Sequence, residues 1–462
     1  MKTDKQKLAV EVQNDFETRK TARRQIELQW QLNIDFLHGR QNNYITNMNT
    51  VASGGKRYFW QSREVYNHIA PLIESRMAKL AGAGEQISVV PIGSGEKDAQ
   101  CAEKCEQIVK AAFKKVDMKS LADQANMWAE MTGTAFYKVV WDNNAGRVVG
   151  RVKGDKIEGA GEIREGDVSV TVCSPFEIYP DSLTAGDINR LGSIIHARPL
   201  PINQIKNIWG VEIAGGDVEV HDFNNTGSSA VLRNAALVIE RYKDGELTIV
   251  AGDKVLYHGA YDFMPFIRQT CESLPCAFFG KSVIERAVPV QRAYNAVKNR
   301  KTEFLNRLTC GVIAVEENSV DIEALETDGL APGTIVQYRS GSVAPRFLDG
   351  GSVPAELERE EERLLTELAT ITGGSDISRG EFSNVSGVAM EIMVAQDLLR
   401  IRRSLQSGQS ARGAVASMVL KLYRKYAKES RLDRLTHGKT VNVFTWTRGD
   451  ITSDEIEVSD GK

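Results

Sequence analysis

The spacing of apolar residues changes twice along the chain, and this change limits the folds that the chain can adopt. Up to residue 131, apolar residues recur at intervals of three or four, as in Leu8, Val12 and Phe16, which is typical of amphipathic helices. Between residues 136 and 255, short aromatic and β-branched runs separated by Gly, Asp and Asn predict strands. From residue 280 the helical spacing returns. For a chain of 462 residues, this order predicts an α+β fold with long helices on both sides of a strand-rich middle.

The pattern also gives bounds for the elements. Helices are predicted over residues 4–38, 64–81, 98–131, 289–308, 354–371, 387–405 and 410–430. Strands are predicted over residues 136–141, 147–152, 167–173, 192–197, 236–242, 247–255, 312–315, 334–338, 344–348 and 440–446. Residues 210–234 are interpreted as a loop or insertion. Gly39 is expected to end the first helix, Pro71 to kink the second, and Pro289 to start the fourth.

Charge is balanced over the whole chain but sharply divided between segments. With 58 Lys and Arg against 61 Asp and Glu, the formal net charge is −3, which excludes a protein that coats nucleic acid through a general positive charge. Segment 289–308 has five basic and one acidic residue, 310–353 two and seven, 354–371 two and six, and 387–432 nine and three. Two interpretations are open: solvated helix faces with ion pairs between neighbouring helices, or subunit pairing and a patterned surface that faces a polyanion.

The sequence contains no recognisable catalytic or metal-binding motif. Its six His lack paired-ligand spacing, and no nucleophile elbow is present. Its six Cys lack a CxxC pair, which predicts reduced structural thiols and no zinc site. The charged N-terminal segment predicts no signal peptide, and no apolar stretch is long enough to predict a membrane span. We therefore expect no enzyme activity, no metal or other cofactor, and no membrane contact.

Gly280-Lys281-Ser282 resembles the end of a phosphate-binding loop. Such a loop needs a glycine five residues before Gly280 so that its backbone can wrap the phosphates, and this chain has Pro275 there. The alternative is a turn before a helix, with Ser282 as the N-cap.

Six short motifs occur in a particular order. They are Phe36-Leu-His-Gly-Arg-Gln41, Asn67-His-Ile-Ala-Pro-Leu-Ile-Glu-Ser-Arg76, Gly133-Thr-Ala-Phe-Tyr-Lys-Val-Val-Trp-Asp142, Ser174-Pro-Phe-Glu-Ile-Tyr-Pro-Asp181, Gly280-Lys-Ser-Val-Ile-Glu285 with Pro289-Val-Gln291 and Asn295, and Ser386-Gly387-Val-Ala389. In this order they resemble the portal (head–tail connector) proteins of tailed bacteriophages over nearly the whole length of the chain.

The resemblance implies a portal-like α+β architecture with a mixed wing, long stem helices, a small β-containing clip and a small helical crown. The implied parts are the wing at 1–278, with 433–462 returning to it, the stem helices at 279–309 and 354–371, the clip at 310–353, the tunnel loop at 372–386, and wing or crown helices at 387–432.

The resemblance also implies a function. The family forms dodecameric rings at one capsid vertex, through which double-stranded DNA passes without sequence-specific binding during packaging and ejection. The implied partners are the terminase large subunit, head–tail adaptor proteins, and the major capsid and scaffolding proteins. The implied location is the virion, with the host cytoplasm during assembly.

Two sets of residues are candidate functional sites under this resemblance. The channel set comprises Ser375, Asp376, Ile377, Ser378 and Arg379 of the tunnel loop with Lys298 and Lys301 of the first stem helix, for which intersubunit ion pairs or solvent exposure are the alternative. The partner-docking set comprises Glu316, Glu317, Asp321 and Glu323 of the clip. Two other functions stay open, namely a nucleotide-dependent DNA-processing enzyme that uses Gly280-Lys281-Ser282 and a virion scaffold or adaptor that binds only protein.

Overall fold

The computed structural model describes residues 4–46, 48, 50–55, 61–82, 87–91, 93–151, 162–221, 229–310, 312–323, 335–348, 354–372, 387–437, 440–451 and 456–460. The α-helices among them are α1 (Asp4–Leu37), α2 (Ile69–Gly82), α3 (Glu96–Lys115), α4 (Met118–Thr132), α5 (Ile202–Trp209), α6 (Val283–Cys310), α7 (Ala355–Thr372) and α8 (Gly387–Tyr426). The strands are β1 (Asn43–Ile45), β2 (Val51–Ser53), β3 (Ile87–Pro91), β4 (Thr134–Asp142), β5 (Val148–Arg151), β6 (Glu162–Arg164), β7 (Asp167–Cys173), β8 (Ile178–Pro180), β9 (Ser193–Pro201), β10 (Gly216–His221), β11 (Ser229–Lys243), β12 (Glu246–Ala251), β13 (Lys254–Ala260), β14 (Phe266–Thr270), β15 (Val312–Ala314), β16 (Arg346–Leu348), β17 (Arg431–His437), β18 (Thr440–Trp446) and β19 (Ile456–Asp460).

The strands form antiparallel sheets of unequal size. The largest has the order β13-β12-β11-β9-β8, with β10 also paired to β11, and a second sheet has the order β14-β4-β7. In the largest sheet Glu240 of β11 lies directly opposite His196 of β9. Two-stranded ladders join β1 to β2, β3 to β19, β5 to β6, β15 to β16 and β17 to β18. The expected α+β class is confirmed.

Four apolar clusters lie among the described residues, and the two largest hold the long helices on these sheets. One packs α3, α4 and the C-terminal part of α8 against β4 and β7, and it buries Val415, Tyr423 and Trp446. The other packs α1, α2 and the start of α6 around Trp30 and Phe278. Burying large apolar side chains removes them from water, which stabilises the fold by about 1.5–3 kcal/mol for each. The start of α6 and the end of α8 are therefore fixed to the same packed body as α1.

Two helix predictions near the N-terminus were wrong in detail. The second helix begins at Ile69 rather than at residue 64, so Pro71 lies in its first turn, where a missing N–H costs no intrahelical hydrogen bond. The predicted helix over 98–131 is two helices, because Asp117 adopts a left-handed conformation with φ of 49° between α3 and α4.

Two further helix predictions were wrong beyond residue 280. The helix predicted from Pro289 begins at Val283, because Ser282 and Glu285 form a capping box: Ser282 Oγ accepts from the Ile284 N–H at 3.0 Å, and Glu285 Oε1 accepts from the Ser282 N–H at 3.5 Å. Pro289 therefore lies inside α6. The two helices predicted beyond residue 386 are one continuous helix of 40 residues, α8.

The strand predictions needed similar corrections. Residues 247–255 are not one strand: they contain most of β12, a turn at residues 252–253 with Gly252 at φ 56°, and the start of β13. Residues 210–234 contain β10 and the first part of β11 rather than only a loop, and the tail contributes β17 and β19 besides the expected β18. Of the strand predicted at 334–338, the described residues 335–338 form no strand.

Candidate functional site

The helices α6 and α7 form an antiparallel pair, connected through the short β15–β16 ladder. Two ion pairs show that the helices run in opposite directions. Lys298 of α6 pairs with Glu361 of α7, whereas Lys301, one turn later on α6, also reaches Glu358, one turn earlier on α7, at 3.4 Å. The basic helix and the acidic helix, recognised from their composition, therefore pair within one chain.

Glu361 is the centre of this ion-pair cluster. Its carboxylate accepts from Lys298 and, at 3.2 Å, from Lys301, and the Tyr294 hydroxyl lies 3.5 Å away. Burial raises the pKa of Glu361, but the hydrogen bonds from both ammonium groups outweigh it and hold the pKa below its usual 4.5. Both lysines are thus charge-compensated by α7, which lowers the positive charge that this face presents.

A neighbouring face of α6 holds an extended segment, residues 61–68, through a row of polar side chains. The row consists of Gln291, Asn295, Asn299 and Glu303, which are spaced by four residues and so lie on one helix face. Each side-chain oxygen accepts one backbone N–H: Glu303 from Ser62 at 2.9 Å, Asn299 from Glu64 at 3.0 Å, Asn295 from Tyr66 at 3.1 Å, and Gln291 from His68 at 3.2 Å. We call this row the polar ladder.

The polar ladder also donates hydrogen bonds back to the segment. Asn299 Nδ2 donates to the Glu64 carbonyl at 3.0 Å, and Gln291 Nε2 donates to the Tyr66 carbonyl at 2.7 Å. The spacing works because four helical residues rise about 6 Å, whereas two extended residues advance about 6.6 Å. Every second residue of the segment therefore meets every fourth residue of α6. Polar residues at intervals of four are visible in the sequence of α6. The sequence does not show that they bind the backbone of residues 61–68.

Residues 280–282 are used in packing at the start of α6. The Gly280 N–H donates to Thr134 Oγ1 at 2.8 Å, and the Lys281 N–H donates to the Glu272 carbonyl at 3.0 Å, so two amides that a phosphate-binding loop would present are occupied. A Cβ on Gly280 would lie 2.5 Å from the Gly133 carbonyl oxygen. Glycine is therefore required at residue 280, where two backbones cross closely. Ser282 is the N-cap of α6, which agrees with the interpretation of residues 280–282 as a turn before a helix.

The four acidic docking candidates all lie in one exposed segment after β15. Glu316, Glu317, Asp321 and Glu323 are each exposed, and Glu316 additionally accepts from the Val343 N–H at 2.7 Å, which ties this segment to the approach of β16. Sequence analysis did not select the apolar side chains that are exposed in the same region. They are Ile322, Ile335, Tyr338 and Val343, exposed by 55%, 87%, 51% and 67%. Exposed apolar side chains beside charged ones are typical of protein–protein contact surfaces.

The structure describes only two of the seven channel candidates. Ser375, Asp376, Ile377, Ser378 and Arg379 lie outside the described residues. Lys298 and Lys301 are described, and both bind Glu361, so the structure brings them together with an acidic partner that the sequence interpretation did not assign.

A separate polar cluster lies where the two larger sheets meet. Cys173, Glu177 and His196 present ligand atoms that all lie within 4.8 Å of one another. His196 is buried; its Nε2 lies 3.2 Å from Glu177 Oε2 and its Nδ1 lies 3.5 Å from Glu240. Lys138 also reaches Glu240, at 2.5 Å.

The charges around His196 shift its titration. Burial lowers the pKa of His196, but hydrogen bonds to Cys173, Glu177 and Glu240 outweigh burial and raise the pKa well above the usual 6.5. The same network holds the pKa of Glu240 well below its usual 4.5 despite burial, which acts in the opposite direction. Sequence analysis missed this cluster because its members come from β7, a short 3₁₀ turn and β9, and only the Cys-x-x-x-Glu spacing is local.

Comparison with known proteins identifies one family. The family model described as "Phage P22-like portal protein" matches residues 230–460, which contain α6, α7, α8 and the segments between them. No curated protein sequence matches the chain. Among the described residues, no helix is both long and apolar enough to cross a membrane.

Proposed function

Because the chain belongs to the P22-like phage portal protein family, we propose that it assembles into a ring at one vertex of a bacteriophage capsid and that double-stranded DNA passes through this ring during packaging and ejection. The single observation that carries the proposal is the family match over residues 230–460, half of the chain. The proposed ring is dodecameric, is built in the host cytoplasm with the major capsid and scaffolding proteins, and has no catalytic activity of its own.

The proposed parts follow the fold. The wing comprises residues 1–278, and the tail 433–462 returns to it; the pairing of β19 with β3 supports this return. The stem comprises 279–309 and 354–371, supported by the antiparallel pairing of α6 and α7. Residues 372–386 form the proposed tunnel loop, and 387–432 the wing or crown helices, of which the C-terminal part packs on the wing core.

The proposed clip, residues 310–353, docks the terminase large subunit and later the head–tail adaptor proteins. Four exposed carboxylates and four exposed apolar side chains in the described part of this segment support the docking role. Apolar contacts supply most of the affinity of such an interface, and charges steer the partner and select it. Successive partners can then share one surface.

The proposed channel surface includes the tunnel loop and the face of Lys298 and Lys301. DNA must slide here, and each uncompensated cation that neutralises a phosphate would strengthen binding and slow movement. Pairing of both lysines with Glu361 supports a surface that is polar but nearly neutral.

Ring formation tests the proposal first. We expect negative-stain images of the purified protein to contain closed rings with a central hole. Only monomers or dimers under all buffer conditions would contradict it.

The docking role is tested by replacing Glu316, Glu317, Asp321 and Glu323 together with Lys. We expect rings to form as in the wild type, with loss of terminase binding and of DNA packaging, because the steering charge is reversed. The matched control replaces four exposed acids of the wing, namely Glu103, Asp217, Glu219 and Asp253, with Lys. Equal packaging by both variants would refute the docking assignment.

The channel role is tested by deleting residues 375–379. We expect rings to assemble normally and packaged DNA to be retained poorly, measured as DNA per purified head. Wild-type packaging and retention in this deletion would refute the role of the loop.

A further inference from the structure

We propose that Cys173, Glu177 and His196 bind one divalent cation of intermediate softness, with Zn²⁺ as the best match. The three side chains supply one sulfur, one oxygen and one nitrogen ligand, and all three ligand atoms lie within 4.8 Å of one another. A thiolate with an imidazole favours Zn²⁺ over Mg²⁺ and Ca²⁺, which prefer oxygen ligands. Three protein ligands leave a fourth tetrahedral position for water.

The distances suit a tetrahedral cation after small side-chain shifts. With metal–ligand bonds of about 2.0–2.3 Å, neighbouring ligand atoms in a tetrahedral zinc site are roughly 3.3–3.6 Å apart. His196 Nε2 and Glu177 Oε2 are already 3.2 Å apart. Because Cys173 ends β7 and His196 lies in β9, the cation would connect the three-stranded sheet to the six-stranded sheet.

The surroundings of His196 match those of a metal-binding imidazole. Metal-bound His usually donates its second ring N–H to a carboxylate, which orients the ring. Glu240 is the carboxylate on that side of the ring: its Oε2 lies 3.5 Å from His196 Nδ1 and is bound by Lys138 at 2.5 Å and by the Tyr242 hydroxyl at 3.0 Å. The Lys138 ammonium itself lies 3.2 Å from His196 Nδ1, so the ring must turn slightly toward Glu240 when a cation binds. Glu177 gives the cation a route from solvent, because its side chain is 34% exposed while His196 is buried.

The proposed ligands bind a cation in their deprotonated forms. Cys173 would bind as a thiolate and His196 through a neutral ring nitrogen, so cation binding would release the thiol proton of Cys173.

Cobalt(II) titration tests the site directly. The full-length protein, reduced and treated with a chelator, is titrated with Co²⁺, and absorbance is recorded. We expect one equivalent to give a thiolate-to-cobalt charge-transfer band, which Cys173→Ser abolishes and the control Cys276→Ser, at an exposed thiol, retains. The variant Glu240→Gln is expected to weaken binding by on the order of 10–100-fold while the band remains.

Two results would overturn the proposal: no band in the wild type, meaning an ion-pair network only, or an equal band in Cys173→Ser. Because a core variant can misfold, ¹¹³Cd nuclear magnetic resonance on the wild type provides a second measurement. We expect one signal in the range of a single sulfur ligand with nitrogen and oxygen, and a signal in the range of oxygen ligands alone would also overturn the proposal. Negative-stain images of the same samples test ring formation independently, so failure of the metal proposal can be distinguished from failure of the portal proposal.

Discussion

Replacing Asn295 with Ala is expected to weaken the attachment of the extended segment 61–68 to α6. The Asn295 side chain makes three hydrogen bonds: it accepts from the Tyr66 N–H at 3.1 Å and from Gln291 Nε2 at 3.2 Å, and it donates to Gln41 Oε1 at 2.6 Å. At about 1 kcal/mol for each bond, the chain loses about 3 kcal/mol, of which the Tyr66 bond to segment 61–68 is about 1 kcal/mol. Asn295 is buried, so its former partners cannot all be satisfied by water without local opening.

Hydrogen exchange read by mass spectrometry measures this weakening. If the segment opens locally, the lost Tyr66 bond of about 1 kcal/mol corresponds to a loss of protection of roughly fivefold in a peptide covering 61–68. Peptides from α1 and β4, which lie in the apolar cores, are expected to exchange as in the wild type.

Two further variants make the measurement decisive. Arg300→Ala, on an exposed position of the same helix, is expected to leave exchange unchanged. Asn295→Asp keeps an acceptor for the Tyr66 N–H but loses the donor to Gln41, so we expect an intermediate effect. Unchanged protection of 61–68 in Asn295→Ala would refute the polar ladder as the contact that holds the segment.

Two other predictions follow from the same region. Glu361→Gln is expected to lower stability at pH 7 by about 1 kcal/mol or less, because the pair is partly exposed. Because the pKa of Glu361 is lowered, its contribution in the wild type is fully present above the usual 4.5 and is lost as the pH falls through the lowered pKa. The difference in thermal unfolding between wild type and variant should therefore shrink as the pH is lowered from 7 into the acid range, and a difference that does not change with pH would contradict this. Gly280→Ala is expected to destabilise the fold by more than about 2 kcal/mol, because the added Cβ would clash with the backbone of Gly133. Lys281→Ala should change neither thermal unfolding nor ATP turnover. Detectable ATP hydrolysis that is lost in Lys281→Ala would support the enzyme interpretation instead.

The strongly periodic elements could be predicted from the sequence. The first helix ends at Leu37, with Gly39 at φ 82° just beyond it, and β7 and β18 have the predicted bounds. Helix α8 could not be predicted as one element, because Gly408 lies at its centre and glycine usually marks an end. A Cβ there would lie 3.4 Å from the Gln269 side chain, an ordinary contact, so this glycine lies where α8 packs on β14 and does not break the helix.

The site was predictable only where it depends on local charge. The acidic segment that contains Glu316 and Glu317 was recognised from composition, and both side chains are exposed. The role of Glu361 could not be recognised, because six acids of one helix look equivalent until packing places one of them between Lys298 and Lys301. The cluster around His196 joins residues from separate strands, and no spacing rule connects them.

The polar ladder has a consequence for the alignment of α6 that an apolar contact would not have. Packing between apolar side chains is non-directional, so a segment held only by such packing can shift along a helix and exchange one apolar contact for a similar one. A slide of the segment 61–68 by one residue would instead bring side-chain oxygens opposite backbone groups that cannot donate to them, and every bond of the ladder would be lost together. The ladder therefore fixes the axial position of α6 against the body that contains α1, while the ion pairs of Glu361 fix α7 against α6. In the proposed ring, symmetry requires identical axial positions in every subunit for the helices that are proposed to surround the channel.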